Sequence, residues 1–140
     1  MNCIIVDDDN FSVRIIEEFV NQTEGLALLG TFTNAIDAVN WLNNSEKEPV
    51  HLIFLDIEMP EMSGIEFLRA LNVIPQVIIY SSQEKYALES YEYDVTDYLL
   101  KPVTYARFIK AVNRARERFE RKENPVKQST EIFIKNNSSL

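Results

Sequence analysis

The ten residues HLIFLDIEMP, at positions 51–60, join an apolar run to a group of acidic side chains. The four consecutive large apolar residues 52–55 are typical of a strand buried on both faces, because no polar side chain alternates with them. Such strands occur in parallel sheets that carry helices on both sides. Asp56 follows the run directly, so we expect a carboxylate at the carboxyl end of a central strand.

Similar short apolar runs recur on both sides of this strand. They occupy residues 3–6, 26–32, 77–80 and 98–100. Segments with apolar residues at helical spacing lie at 11–20, 35–42, 63–71, 84–92 and from Thr104 onward. This alternation predicts an α/β fold, a doubly wound five-stranded parallel sheet with helices on both faces and right-handed crossovers. The order of the strands does not follow from the pattern.

The composition is that of a globular domain. The 140 residues include 46% hydrophobic side chains, which excludes a chain disordered throughout, and the length predicts one domain. Lys and Arg number 14 against 22 Asp and Glu, a formal net charge of −8 that argues against nucleic-acid binding by the whole surface. The charge is uneven, with 18 acidic and 4 basic residues in 1–100 against 4 acidic and 10 basic in 101–140.

The compartment is suggested by what the sequence lacks. Its single cysteine, Cys3, cannot form an intrachain disulfide. The apolar run at residues 3–6 is followed directly by three aspartates and is too short for a signal peptide, so none is expected. No apolar run approaches the ~20 residues of a membrane span. We therefore expect a soluble cytoplasmic protein with no membrane partner.

Polar side chains follow four of the predicted strands. Asp7 and Asp8 follow the first strand, Asp56 the third, Ser81 the fourth and Lys101 the fifth. The carboxyl ends of parallel strands lie at one edge of the sheet, where ligands bind in open α/β folds. We therefore expect three acids, a hydroxyl and a lysine to meet there.

These residue types suit phosphoryl chemistry. Carboxylates placed close together repel one another, and a hard divalent cation such as Mg²⁺ relieves that repulsion. An aspartate can itself be the nucleophile, forming an aspartyl-phosphate. A lysine and a small hydroxyl can then contact the phosphoryl oxygens.

Each of these residues also has a purely structural explanation. Residues 7–9 are suitable for a turn and helix cap, Ser81 has capping-box spacing to Glu84, and Lys101 could be solvated surface. The occurrence of all of them at strand ends favours the functional interpretation.

Five motifs taken together resemble the receiver domain of bacterial two-component response regulators. They are IIVDD at 4–8, FLDIEMP at 54–60, Ser63 with Gly64, Ser81, and DYLLKP at 97–102. The resemblance covers residues 2–122 and implies a flavodoxin-like, CheY-like (βα)5 fold. It also implies that the domain is a phosphoacceptor that catalyses its own phosphorylation and dephosphorylation, not a conventional enzyme.

The resemblance assigns a role to each residue at the sheet edge. Asp56 would accept a phosphoryl group from the phosphohistidine of a sensor histidine kinase. Asp7, Asp8 and Asp56 would hold Mg²⁺ together with the backbone carbonyl of Glu58. Lys101 would bind the phosphoryl group, and its bond to Pro102 would be cis.

The same resemblance implies a switch. Ser81 matches the switch hydroxyl and Tyr98 the switch aromatic, which would take an inward rotamer on phosphorylation. The fourth helix, fifth strand and fifth helix would then form a homodimer face.

Within the family, EKYAL at 84–88 and DYLLKP at 97–102 resemble the LytTR-type (LytR/AlgR-like) subgroup. In that subgroup a receiver is joined to a mostly β DNA-binding domain, as in a transcription regulator. We expect a receiver at 1–122, a linker at 123–129, and a tail at 130–140 whose alternating residues TEIFIK begin a missing domain of that kind. Contact with DNA would come only through that missing domain.

Two other classes remain open. A Mg²⁺-dependent phosphatase with an aspartate nucleophile would have a second Asp two residues after the first, where this chain has Glu58. A flavodoxin-like small-molecule module would have a Gly-rich or Ser/Thr-rich phosphate loop after the first strand, where residues 7–9 are aspartates.

Overall fold

The chain folds around one parallel sheet, as a computed structural model shows for residues 1–44 and 46–123. The five strands are β1 (Asn2–Val6), β2 (Ala27–Phe32), β3 (Leu52–Asp56), β4 (Gln76–Ser81) and β5 (Asp97–Leu100). The five α-helices are α1 (Asn10–Asn21), α2 (Ala35–Leu42), α3 (Gly64–Arg69), α4 (Ala87–Tyr91) and α5 (Tyr105–Glu123). Strands and helices alternate as predicted.

The strand order is β2-β1-β3-β4-β5, with every neighbouring pair parallel. The chain therefore moves outward from β1 to β2 and then crosses back to β3 on the other side of β1. The point where the order reverses lies between the carboxyl ends of β1 and β3. In open α/β sheets this is the place where ligands bind. The predicted doubly wound α/β fold is confirmed.

Two apolar cores enclose the sheet. On one face α1 and α5 bury Val13, Ile16, Phe108 and Val112 against the strands. On the other face α2 and α3 bury Ala38, Phe67 and their neighbours, with Tyr98 in the same cluster. Because β1 and β3 are covered on both sides, their side chains are almost wholly inaccessible to solvent. This rigid sheet holds the residues at its carboxyl edge in place.

Local side chains cap the starts of α1, α2 and α3, and Asn34 is the cap of α2. Asp9 accepts a hydrogen bond from the backbone N–H of Phe11 and so caps α1. Ser63 and Glu66 form the predicted capping box at the start of α3. Such caps satisfy backbone donors that have no partner within the helix.

The predicted fourth helix at 84–92 is wrong in detail. Residues Glu84–Tyr86 form a turn of 3₁₀-helix, and α4 covers only Ala87–Tyr91. No side chain caps this segment, and Leu88 and Tyr91 are exposed, so the apolar spacing does not supply a buried stripe. The third helix also ends earlier than predicted, at Arg69.

Glu123, the first residue of the predicted linker at 123–129, is the last residue of α5. The rest of that linker and the strand-like residues 130–135 lie outside the described part of the chain. Within the described part, none of the helices has the length and apolar character needed to cross a membrane.

Candidate functional site

Three carboxylates meet at the carboxyl ends of β1 and β3. Asp7, Asp8 and Asp56 each present an oxygen, and these three oxygens lie within 4.8 Å of one another. Asp7 and Asp56 are buried, whereas Asp8 is exposed. The predicted convergence is therefore present in the structure, at the reversal point of the sheet.

Local backbone and one tyrosine hold the two buried acids. Oδ1 of Asp7 accepts the backbone N–H of Asp9 at 2.9 Å, and its Oδ2 accepts the hydroxyl of Tyr80 at 2.8 Å. Oδ1 of Asp56 accepts the backbone N–H of Glu58 at 3.0 Å. Both carboxylates are thus fixed, and each retains lone pairs for another partner.

Lys101 supplies positive charge to the same cluster. Its Nζ lies 3.5 Å from Oδ2 of Asp56 and 4.0 Å from Oδ2 of Asp7. The ammonium also lies 5.2 Å from the centre of the Tyr80 ring, a cation–π distance. The peptide bond between Lys101 and Pro102 is cis. The lysine predicted for the site therefore lies within ion-pair distance of both buried acids.

The electrostatics of the cluster favour an added cation. Burial raises the pKa of Asp56 to about 7, and the charge of Asp7 adds to the effect, although the Glu58 N–H and Lys101 oppose it. Burial, followed by the charge of Asp7, raises the pKa of Tyr80 well above its usual value. Tyr80 is therefore a protonated donor at neutral pH, and a cation bound beside Asp56 would favour the ionised form of that carboxyl.

Mg²⁺ fits this donor set. It binds one or two carboxylates, retains several waters and accepts phosphate oxygens as further ligands. The cluster offers oxygen donors only, with exposed Asp8 on the solvent side and buried Asp7 and Asp56 beneath. A divalent cation here would relieve the repulsion between Asp7 and Asp56.

The two predicted switch residues are linked through Gln83. Ser81 is buried at the end of β4, and its Oγ accepts the backbone N–H of Gln83 at 3.1 Å. Tyr98 donates its hydroxyl to the carbonyl oxygen of the same Gln83. Only 9% of Tyr98 is exposed, so its side chain is already directed inward in this structure.

Two details at the site differ from what the sequence suggested. The helix-cap explanation for residues 7–9 applies to Asp9, which caps α1, whereas Asp7 and Asp8 face the cluster. Tyr80 was not predicted as a site residue, because it reads as one more apolar position of a buried strand. Its phenol could have indicated a role, since a buried tyrosine hydroxyl usually needs a polar partner.

Comparison with known proteins agrees with this fold and shows the family of the chain. Residues 3–113 match the response regulator receiver domain family, and the chain belongs to that family. An uncharacterized response regulatory protein of Vibrio cholerae is 33% identical over 116 residues, which are 81% of this chain and 48% of that protein. The transcriptional regulatory protein BtsR of Escherichia coli is 28% identical over 116 residues, 81% of this chain and 47% of BtsR.

The solved structures include the response regulatory domain of protein mrkE from Klebsiella pneumoniae. It superimposes with a TM-score of 0.76 at 24% identity, covering 86% of this chain and 99% of that domain, and so supports the fold. By contrast, this chain spans about half the length of the curated relatives that it matches.

Proposed function

We propose that this receiver domain takes a phosphoryl group onto Asp56 from the phosphohistidine of a sensor histidine kinase. The observation that carries this proposal is the setting of Asp56, a carboxylate 4% exposed with the Lys101 ammonium 3.5 Å away and two further acids within cation-sharing distance. An isolated buried aspartate would repel an incoming phosphoryl group. Here the Lys101 ammonium lies beside it, and a cation shared by the three acids would add further positive charge.

The transfer step is a displacement at phosphorus. A carboxylate oxygen of Asp56 forms the new bond, the bond from phosphorus to the histidine nitrogen breaks, and the imidazole leaves with the electron pair of that bond. The N–H of Glu58 holds one oxygen of Asp56, which leaves the other oriented toward the incoming group. Lys101 neutralises charge on the phosphoryl oxygens, as a fixed cation does in other phosphoryl transfers.

Asp7, Asp8, Asp56 and the backbone carbonyl of Glu58 are the residues that would hold Mg²⁺. The bound ion would supply charge neutralisation between the carboxylate and the phosphoryl group. The role of the domain is that of a phosphoacceptor in signalling, and its own residues catalyse the gain and loss of the phosphoryl group.

The switch would act through Gln83. The Ser81 hydroxyl accepts from the Gln83 N–H, and a hydroxyl can also donate, so it could turn its hydrogen toward a phosphoryl oxygen. A shift of Ser81 toward that oxygen would displace Gln83, whose carbonyl holds the Tyr98 hydroxyl. Phosphorylation would thus change the population of two arrangements of the loop after β4, not create a new fold.

The output face would be α4, β5 and α5, through which phosphorylated copies form a homodimer. Its apolar side chains Leu88, Tyr91 and Leu100 are exposed, at 83%, 62% and 42%. Its buried Asp97 is bound by two nitrogens of Arg107 at 2.8 and 2.9 Å, with Arg114 at 3.3 Å. Apolar contacts bordered by such cations are consistent with a protein–protein surface.

The wider setting would be a LytTR-type transcription regulator in the cytoplasm. The chain spans about half the length of the curated relatives that it matches, and one of those relatives is a transcriptional regulatory protein. Residues 130–140 would begin the DNA-binding domain, and only that domain would contact DNA. The subgroup assignment rests on the EKYAL and DYLLKP segments.

The proposal is tested by replacing the acceptor. Asp56→Asn should take up no phosphoryl group from acetyl phosphate with Mg²⁺, or from a phosphorylated kinase, as intact-mass spectrometry would show. Asp37→Asn is the matched control, because Asp37 is an exposed residue in the first turn of α2. Equal labelling of wild type and Asp56→Asn would overturn the proposal.

A further inference from the structure

Tyr80 contacts two functional groups of the site from beneath. It lies on β4 opposite Asp56 in the sheet register and is only 1% exposed. Its hydroxyl donates to Oδ2 of Asp7 at 2.8 Å, and its ring lies 5.2 Å from the Lys101 ammonium. One buried side chain therefore connects the first acid of the cluster with the lysine.

The position of the hydroxyl determines what Asp7 can do. Asp7 is wholly buried, and its Oδ1 already accepts the Asp9 N–H. The Tyr80 hydroxyl is the hydrogen-bond donor to Oδ2, since Lys101 approaches that oxygen only to 4.0 Å. Without the hydroxyl the carboxylate could rotate about its last bond toward Lys101, away from its present place near Asp8 and Asp56.

We propose that Tyr80 is a positioning residue for the divalent-cation site. Its hydroxyl holds the Asp7 carboxylate at the distance from Asp8 and Asp56 that a shared cation requires. The inference rests on the proposed Mg²⁺ site and adds to it a residue that touches neither the ion nor the phosphoryl group. Hydrogen-bonded partners of metal ligands act in this way elsewhere, and their loss typically weakens metal binding by 10- to 100-fold.

A purely packing role for Tyr80 makes a different prediction. The ring fills the core formed with α1 and α5, and Phe would fill it equally well. If packing were its whole contribution, Tyr80→Phe would leave the affinity for a divalent cation unchanged. The variant therefore separates the hydroxyl from the ring and retains the aromatic face beneath Lys101.

The test is a titration with Mn²⁺, a hard oxygen-seeking ion whose free form is counted by electron paramagnetic resonance. Tyr80→Phe is expected to bind Mn²⁺ about tenfold more weakly than wild type. Tyr105→Phe is the matched control, because that hydroxyl is also part-buried and hydrogen-bonded, to Thr23 at 2.9 Å, and not to an acid of the proposed cation site. It should bind Mn²⁺ as wild type does.

A second readout uses the rate of phosphorylation by acetyl phosphate. Tyr80→Phe should need about tenfold more Mg²⁺ for half the maximal rate and should reach nearly the wild-type rate at saturation. Wild-type Mn²⁺ affinity and Mg²⁺ dependence in a folded Tyr80→Phe would overturn the role of Tyr80 alone. Failure of wild type itself to bind Mn²⁺ would overturn both this inference and the proposed metal site.

Discussion

Lys101 places its ammonium nitrogen 3.5 Å from Oδ2 of Asp56, although Asp56 ends β3 and Lys101 follows β5, two strands that do not pair with each other. Strand β4 lies between them, and the lysine reaches across its end. Only 26% of the lysine side chain is exposed, so water screens this pair less than it screens a surface pair. The contact brings a fixed cation to the acceptor before any phosphoryl donor arrives.

Replacing that cation should slow the chemistry without removing the acceptor. Lys101→Gln is expected to lower the rate of Asp56 phosphorylation by about a hundredfold, the usual cost of losing one group that stabilises developing charge. The rate is measured by intact-mass spectrometry after mixing with acetyl phosphate and saturating Mg²⁺. Lys110→Gln, on the exposed side of α5, is the control and should react at the wild-type rate. A wild-type rate in Lys101→Gln would exclude the lysine from the step.

The pKa of Asp56 predicts how stability depends on pH in the absence of divalent cations. The carboxyl has a pKa of about 7 in the folded chain against 3.8 ordinarily, so between these values the unfolded chain ionises while the folded chain keeps its proton. The folded chain therefore binds this proton more tightly than the unfolded chain does. The stability that Asp56 contributes in its protonated form is fully present below about pH 4 and is lost as the pH rises through 7. Asp56→Asn removes the loss, because an amide does not ionise.

Asp56→Asn should therefore be more stable than wild type at pH 8, by up to ~4 kcal/mol at about 1.4 kcal/mol per pKa unit. The difference should be much smaller at pH 4, and Mg²⁺ should reduce it at pH 8 by stabilising the wild type. Urea unfolding of both proteins at pH 4 and pH 8, first in chelator and then in Mg²⁺, measures these differences in the free energy of unfolding. A stability difference that does not change with pH would mean that burial of the Asp56 charge costs little.

Tyr98 offers a test of the link through Gln83. Tyr98→Phe removes the hydroxyl that donates to the Gln83 carbonyl but retains the ring in its apolar cluster. We expect normal labelling of Asp56, faster hydrogen exchange in the segment after β4, and weaker dimerisation on phosphorylation. Exchange is followed by mass spectrometry and dimerisation by sedimentation with beryllofluoride and Mg²⁺. Tyr93→Phe is the control, since that hydroxyl accepts from Arg69 outside the switch. Unchanged dimerisation would remove the Tyr98 hydroxyl from the switch.

Gly64 is expected to be intolerant of any side chain. A Cβ at Gly64 would lie 2.8 Å from the backbone Cα of Ile57, directly after the acceptor strand. Gly64→Ala should therefore cost about 1–3 kcal/mol of stability, as overpacking generally does. Gly30→Ala is the matched control, because its nearest neighbour is the Phe32 ring at an ordinary 3.5 Å. Urea unfolding compares the two, and equal stability would show that the loop containing Ile57 yields easily.

Much of this molecule follows from local patterns in the chain. The apolar run before Asp56 identifies a central strand, since few structures other than a doubly covered sheet bury so many consecutive large side chains. The ends of the runs then place Asp7, Asp8, Asp56, Ser81 and Lys101 on one edge, because parallel strands share a direction. The short length of α4 could not be predicted from the apolar spacing, since spacing alone does not show whether Leu88 is buried or exposed.

Local patterns in the chain are enough to predict the class of fold, the acids at the edge of the sheet and the residue types that suit phosphoryl transfer. Three relationships became evident only in the folded chain: β1 lies between β2 and β3, Lys101 reaches Asp56 across β4, and Tyr80 holds Asp7. The spacing of apolar residues shows which face of a helix or strand is apolar, and that spacing depends only on residues close together in the chain. Contacts such as Tyr80 with Asp7 join residues 73 positions apart, and their geometry exists only once the sheet has assembled.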